Sequence, residues 1–140
     1  MKMSIYENIP DEARRIREAV FIDEQGFQSE FDEIDASAIH IVSYDEDDVP
    51  VATCRVFWNE EMRAYTLGRL AVIKKCRGRN IGSAVVKEAE RYVQEMGRKE
   101  IVLHSQCEAA DFYRKSGFIE FGDIEEEQGC PHIWMKKSLK

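Results

Sequence analysis

Seven consecutive residues near the middle of the chain, Arg77-Gly78-Arg79-Asn80-Ile81-Gly82-Ser83, combine cations with glycines immediately ahead of an apolar periodic segment. Ile81, Val85, Val86, Ala89, Tyr92, Val93 and Met96 recur at intervals of three and four, the spacing of one helix face. The glycine-rich stretch therefore leads into a helix start, where backbone N–H groups lack intrahelical partners and the positive end of the helix dipole favours an anion. Gly78 and Gly82 let the main chain approach an oxyanion closely. Arg77 and Arg79 supply paired N–H donors suited to phosphate oxygens. A P-loop would end in Gly-Lys-Ser/Thr, which is absent, and a dinucleotide site would follow the first strand of a parallel sheet with glycines at a different spacing. A pyrophosphate carrier such as coenzyme A meets neither objection. The plain alternative is a glycine-tolerant helix start with exposed cations.

The elements around this stretch follow from periodicity and turn residues. Pro10-Asp11-Glu12 opens a helix, with proline in the first turn and acids at the favourable end of the dipole, and Ala13, Ile16 and Val20 continue it until Gly26. Residues 25–37 read as an acidic loop or short irregular helix. Three apolar strands follow, Ala38 to Tyr44, Val49 to Trp58 and Tyr65 to Ile73, separated by Asp45-Glu46-Asp47-Asp48 and Asn59-Glu60-Glu61, as in an antiparallel meander. After the helix from Ile81, which Gly97 is placed to stop, Ile101-Val102-Leu103 is a continuous apolar run of the kind buried on both faces. Strand, helix and strand form a βαβ unit, so strands 65–73 and 100–105 are expected to be parallel. A shorter helix from Cys107 to Ser116 ends at Gly117, and Phe118 to Phe121 and Ile133 to Lys137 are further strands. The expected fold is α+β: one domain over residues 1–140, with a mixed twisted sheet, an antiparallel N-terminal meander and a central βαβ unit flanked by helices.

The size, 140 residues, suits one domain with one core. No apolar run approaches a membrane span, and Met1 to Ile5 lacks the features of a secretory leader, so the expected location is the cytoplasm without membrane association. The net charge of −7 is unevenly spread: residues 1–50 hold 14 acids and 4 bases, whereas residues 69–99 hold 9 bases and 3 acids. Four cations lie among the six residues Lys74 to Arg79. Nucleic acid is not the expected partner, because the chain is acidic overall and the basic cluster lacks interleaved aromatics. The four cysteines, Cys54, Cys76, Cys107 and Cys130, read as free thiols in a reducing compartment. The alternative, zinc held by His104, Cys107, Cys130 and His132, lacks the spacing of a standard finger, so no metal is expected.

Leu70-Ala71-Val72 followed by Arg77-Gly78-Arg79-Asn80-Ile81-Gly82 closely resembles the signature of the GNAT superfamily, Arg/Gln-x-x-Gly-x-Gly/Ala, with Asn80 in place of the first glycine. Asparagine is the residue that best tolerates glycine-like backbone angles and is a good helix N-cap. His104 to Phe118, with Phe112-Tyr113 and Gly117-Phe118, resembles the second hallmark of the superfamily, with Gln106 where many members have asparagine. Glu127 to Met135 and Val20 to Gly26 resemble an ElaA-like subgroup, so the likeness spans nearly the whole chain. The resemblance implies an N-acetyltransferase that takes acetyl-CoA as acyl donor and an amine on a small molecule or peptide as acceptor. It implies a splay between the two parallel strands, with the pantetheine arm held by main-chain groups of Leu70 and Val72. The amide of Val72, or one beside it, would polarise the thioester carbonyl. Donor binding falls to Leu70, Ala71, Val72, Arg77 to Ser83, Gln106 and Phe112.

Tyr113 is the side chain assigned to chemistry under this resemblance. Thioester aminolysis releases a thiolate, and a phenol that stays protonated at neutral pH can donate a hydrogen bond or proton to it; the alternative is an amphipathic core tyrosine. The attacking ammonium must lose a proton, and Glu24, His104 and His132 border the expected cleft. Glu24 ranks first as base, and Glu24, Gln25 and His132 are candidate acceptor contacts. The acidic loop from Glu30 to Asp35 could help attract a cation or simply be solvated. Direct attack in a ternary complex is the leading mechanism. A covalent route through Cys107 and a non-catalytic CoA-binding regulatory module are the alternatives. The sequence leaves the acceptor and the oligomeric state open, a homodimer included.

Overall fold

The computed structural model describes residues 1–27 and 31–140. Seven strands form a single sheet in the order β1-β2-β3-β4-β5-β7-β6. They are β1 Lys2–Tyr6, β2 Ile39–Tyr44, β3 Pro50–Asn59, β4 Ala64–Val72, β5 Glu100–Gln106, β6 Ile119–Glu127 and β7 Cys130–Ser138. Every neighbouring pair is antiparallel except β4 and β5, as the βαβ reading requires. β1, which pairs Lys2 to Tyr6 with Tyr44 to His40, was not expected from the sequence. Its five residues carry no hydrophobic run, because it is an edge strand with little buried surface. β6 extends to Glu127, well past the expected Phe121, for a similar reason: its second half is acidic and exposed, so burial leaves no mark on it.

Alternation along β2 shows how the sheet divides the core. Ile41 faces helix α2, Ile81–Glu95, whose Ile81, Val85, Val86, Ala89 and Val93 are buried. Val42 faces helix α1, Asp11–Arg17, with Ala13, Ile16, Val20 and Phe21. Residues two apart share a face of a strand, so one covering helix on each side buries both. Helix α3, Ala110–Lys115, completes the α2 side through Ala110 and the adjoining Phe118. Gly97 takes a φ of +82° just past α2, the left-handed stop expected of it. Pro10 sits at the N-cap of α1, one residue earlier than expected. From Glu18 to Glu24 the helix widens into π-helical turns, with the Gln25 amide bonded to the Val20 carbonyl at 3.1 Å. The wider winding turns the consecutive residues Val20 and Phe21 inward and delivers Glu24 and Gln25 to the sheet's open end; nothing in the sequence marks it.

The two aspartates of the acidic loop pair with arginines of the fold. Asp35 accepts two hydrogen bonds from Arg17, at 2.8 and 3.1 Å, and a third from Arg55 at 2.9 Å. Asp32 accepts from Arg55 at 2.6 and 3.2 Å and lies 3.4 Å from Arg69. Arg17 is 1% exposed and Arg55 4% exposed. Asp35 is thus buried against two arginines, Asp32 stays partly exposed beside Arg55 and Arg69, and Glu30 lies outside the described residues. Removing one member of such a buried network strands its partners in a low-dielectric setting. Burial pushes the Asp35 carboxyl up, but the hydrogen bonds and charges of Arg17 and Arg55 outweigh it and hold the group at about 2, below its ordinary 3.8. A depressed carboxyl stabilises the fold above its unfolded-state pKa and loses that contribution as pH falls through the folded-state value. Asp35→Asn is therefore expected to lower the unfolding free energy by about 3–5 kcal/mol at neutral pH. In urea titrations the gap from wild type should close as pH drops from about 4 toward 2.

Candidate active site

Parallel pairing between β4 and β5 is short. It joins Tyr65 to Ile101, Thr66 to Val102 and Leu67 to Leu103, and goes no further. Beyond Leu67, β4 bulges: Thr53 pairs with Ala71 but Arg55 with Gly68, one residue more on β4 than on β3. Arg69 within the bulge has a φ of +52°, the left-handed geometry common at bulges. Meanwhile β5 stays with β7 out to Gln106 opposite His132. The two central strands consequently part, leaving Gly68 to Val72 on one side of a gap and His104 to Gln106 on the other. Ile73 donates to the Val51 carbonyl at 3.0 Å, so antiparallel alternation turns the N–H and C=O of Val72 away from β3, into the gap.

The gap opens on one side into a cleft of about 630 Å³. Its wall includes Leu70, Ala71, Val72, Arg77, Gly78, Asn80, Ile81, Gly82, Ser83, Phe112 and Tyr113. Most of the expected donor-binding residues are thus brought together. Asn80 adopts φ +62° and ψ +17° at the N-cap of α2, the glycine-like conformation that its place in the motif demands. Its side chain makes no capping bond, contrary to a conventional N-cap. The first intrahelical donor is Ala84, which reaches the Asn80 carbonyl at 3.1 Å, so the amides of Ile81, Gly82 and Ser83 precede the intrahelical ladder and suit an anion. Gly82 serves packing as well: a Cβ there would meet the Phe112 ring at 3.2 Å and Val72 at 3.6 Å.

Four expected residues are used differently. The Arg77 guanidinium grips Glu24 with two bonds of 2.6 and 2.7 Å, and its Nε donates to the Val72 carbonyl at 3.0 Å. Arg77 therefore ties the end of the π-helical segment to the cradle instead of offering its side chain freely to phosphate. The same hydrogen bonds hold Glu24 below the usual carboxylate range and occupy both of its oxygens. Arg79 is exposed and outside the cleft wall. Gln106 faces the other side of the gap, where its amide donates to Gln25 at 2.9 Å.

That other side is a smaller pocket of about 160 Å³, walled by Phe21, Gln25, Phe27, Arg69, His104, Gln106, Glu127, His132 and others. Gln25, Leu70, Ala109 and Tyr113 line both pockets, so Tyr113 stands at their junction. Its ring is held edge-on by Phe112 and Phe118, with centroids at 5.0 and 5.8 Å. Burial, with a smaller effect of the Cys54 thiol, pushes its phenol up, so it remains a donor at neutral pH. His104 stacks on Trp134, with centroids 4.6 Å apart and planes 23° apart, and lies 5.0 Å from His132. Burial lowers the pKa of His104 against the opposing pull of Glu127, which favours the neutral, proton-accepting ring. Arg69, Glu125, Glu127 and Trp134 were not singled out from the sequence as site residues. Glu127 lies in a recognised block, but only strand register reveals its neighbours. Among the described residues, no set of three or more His, Cys, Asp or Glu is arranged to hold a metal, and no helix is long and apolar enough to cross a membrane.

Comparison with known proteins gives a family model, the acetyltransferase (GNAT) domain, matching residues 8–139. The uncharacterized N-acetyltransferase YjcF of Bacillus subtilis (strain 168) is 32% identical over 125 residues, covering 87% of each chain. Protein ElaA of Escherichia coli (strain K12) is 28% identical over 130 residues, covering 89% of this chain and 84% of its own. The crystal structure of Escherichia coli ElaA superposes with a TM-score of 0.84 over 97% of this chain and 98% of that one. An aminoglycoside 6'-N-acetyltransferase complexed with coenzyme A shares the fold at 17% identity, with a TM-score of 0.73 over 99% and 97% of the two chains.

The left-handed conformation at Asn80 generates a ligand-independent test. A residue with a Cβ and no local polar compensation costs roughly 1–2 kcal/mol there, whereas glycine does not. Asn80→Val is expected to lower stability by about that amount and Asn80→Gly to hold it near wild type, as read from chemical denaturation midpoints.

Proposed function

Because the chain belongs to the GNAT acetyltransferase family, we propose that it moves an acetyl group from acetyl-CoA to a primary amine by direct attack in a ternary complex. The observation that carries this reading is the meeting of two pockets at one phenol: Gln25, Leu70, Ala109 and Tyr113 belong to both. One pocket ends at a helix start suited to a diphosphate, and the other is lined by imidazoles and a carboxylate suited to an amine. In this reading the amides of Ile81 to Ser83 receive the diphosphate, and the outward N–H of Val72, whose carbonyl is taken by Arg77, polarises the thioester carbonyl. One oriented amide at a developing oxyanion is worth about 2.7–4 kcal/mol.

The amine then enters from the smaller pocket. Its lone pair forms the C–N bond as the C–S bond breaks, and the thiolate leaves toward Tyr113. A phenol pushed above its ordinary range is a weak acid, so Tyr113 acts chiefly by donating a hydrogen bond to the departing sulfur. His104, neutral and at the pocket wall, is the better base; Glu24, bound to Arg77, serves to hold the cradle against the π-helical segment. The aminoglycoside acetyltransferase of the same fold supports an amine acceptor as a class and leaves its identity open.

The test is steady-state transfer to a panel of primary amines, following free thiol release. Tyr113→Phe should lower kcat about 10²-fold while calorimetry finds CoA affinity unchanged. Wild-type turnover in that variant would take Tyr113 out of the mechanism.

A further inference from the structure

The acceptor-side pocket continues into an outer pocket of about 420 Å³, and the two share Leu67, Gly68, Arg69, His104, Glu127 and His132. The hairpin that delivers Glu127 is tight: Gln128 and Gly129 have φ of +51° and +75°, the paired positive values of a two-residue turn that fixes register. Glu125 lies opposite His132 and Glu127 opposite Cys130, so both carboxylates project on the face that carries His132. On the adjoining strand His104 lies opposite Trp134, which brings the four groups together.

This cluster holds more hydrogen-bond acceptors than hydrogens to share among them. The Nδ1 of His132 lies 2.8 Å from the Cys130 carbonyl. A carbonyl only accepts, so that nitrogen carries the hydrogen, and the neutral ring has a bare Nε2. That Nε2 faces Oε2 of Glu127 at 3.5 Å, lone pair against lone pair. His104 puts its Nδ1 3.6 Å from the same Oε2 and its Nε2 3.4 Å from Oε1 of Glu125. A neutral His104 protonates only one of these nitrogens, and the other confronts a carboxylate. His104 Nε2 is also buried without a hydrogen-bond partner. With both rings neutral, two bare nitrogens face two carboxylates, an arrangement that favours an incoming cation with N–H donors. The other charged groups on these walls are Arg69 and Asp32, 3.4 Å from each other, together with Arg55 and Glu60 farther out.

We propose that Glu127, with His104 and His132, forms the acceptor-recognition site, which selects a primary ammonium and takes its first proton. The inference rests on the acetyl-transfer reading and adds to it the group that receives the acceptor. The ammonium sits on the Glu127 carboxylate and gives one proton to a bare imidazole nitrogen. The freed lone pair forms the C–N bond as C–S breaks. The second nitrogen-bound proton passes to the departing sulfur beside Tyr113, and the imidazolium releases its proton to solvent through the outer pocket. One proton is released per turnover. Acceptors that carry no charge at the reacting nitrogen at neutral pH, such as anilines, are selected against.

The experiment compares wild type with Glu127→Gln, which keeps the size of the side chain. Only three histidines are present, so their ring protons can be followed one by one by NMR in the free enzyme. Removing the carboxylate should lower the titration midpoint of His104, which Glu127 pulls upward, by about one unit, the size expected for an opposite charge at this range. Over a series of n-alkylamines, KM for the amine should rise at least tenfold, with CoA affinity unchanged. Wild type should also prefer butylamine to aniline. Ring titrations and amine KM unmoved by Glu127→Gln in an otherwise active enzyme would overturn this assignment alone. A wild type that transfers acetyl to no amine would overturn the transferase reading and the proton route with it.

Discussion

The separation of β4 from β5 after only three paired residues is the constraint on which the rest of the molecule depends. A parallel pair that continued past Leu67 and Leu103 would satisfy the outward main chain of Val72 within the sheet. It would also close the space between the two pockets. The bulge at Arg69 lies where the two strands part, β4 remaining paired with β3, and Asp32 contacts both Arg55 and Arg69 beside it. The buried arginine–aspartate network is therefore more than a stability device, because it holds the strand whose departure creates the site. Its energetic cost is met by near-complete pairing, the condition under which buried charge is tolerated.

Around that gap, each wall is assembled from an element that resolves a local conflict in a useful way. Asn80 accepts a left-handed backbone and leaves its side chain out of the capping position, so the first amides of α2 stay available. Gly82 lets α2 approach Phe112, which brings α3 and Tyr113 to the junction. The π-helical turns at Glu18–Glu24 widen the end of the first helix, and Arg77 then clamps Glu24 to the cradle. π-helical segments are frequent at functional sites, and here the segment supplies Phe21 and Gln25 to the acceptor side. The charge asymmetry along the sequence is only partly a map of function. Of the basic cluster only Arg77 reaches the cleft wall, where it is internally paired, and the described aspartates of the acidic loop face arginines.

Chemistry on the acceptor side depends on strand register. His104, Gln106, His132, Trp134, Glu125 and Glu127 come from three successive strands, and they meet because β7 lies between β5 and β6. A slip of one residue in the β6–β7 hairpin would send both glutamates to the opposite face. The two positive φ values at Gln128 and Gly129 set that register. Stacking on Trp134 then fixes the plane of His104, leaving ring orientation and proton supply as the remaining variables.

Local pattern was enough to read the meander, the long helix, the parallel pair and the left-handed backbone at the helix start, because each rests on a periodicity or on backbone freedom carried within a dozen residues. The motif around Asn80 and the pair Phe112-Tyr113 likewise pointed to the family from sequence alone. What lay outside that reach were features decided by contacts between distant segments. The edge strands β1 and the second half of β6 bury too little to leave a hydrophobic signature. The pairing of Glu24 with Arg77 spans 53 positions, and it engages both oxygens of that carboxylate. The convergence of Glu127 with His104 and His132 depends on strand order and register, which composition does not encode. Only the tertiary structure could decide those roles, because the state of an ionisable group is set by the charges and lone pairs that folding places beside it.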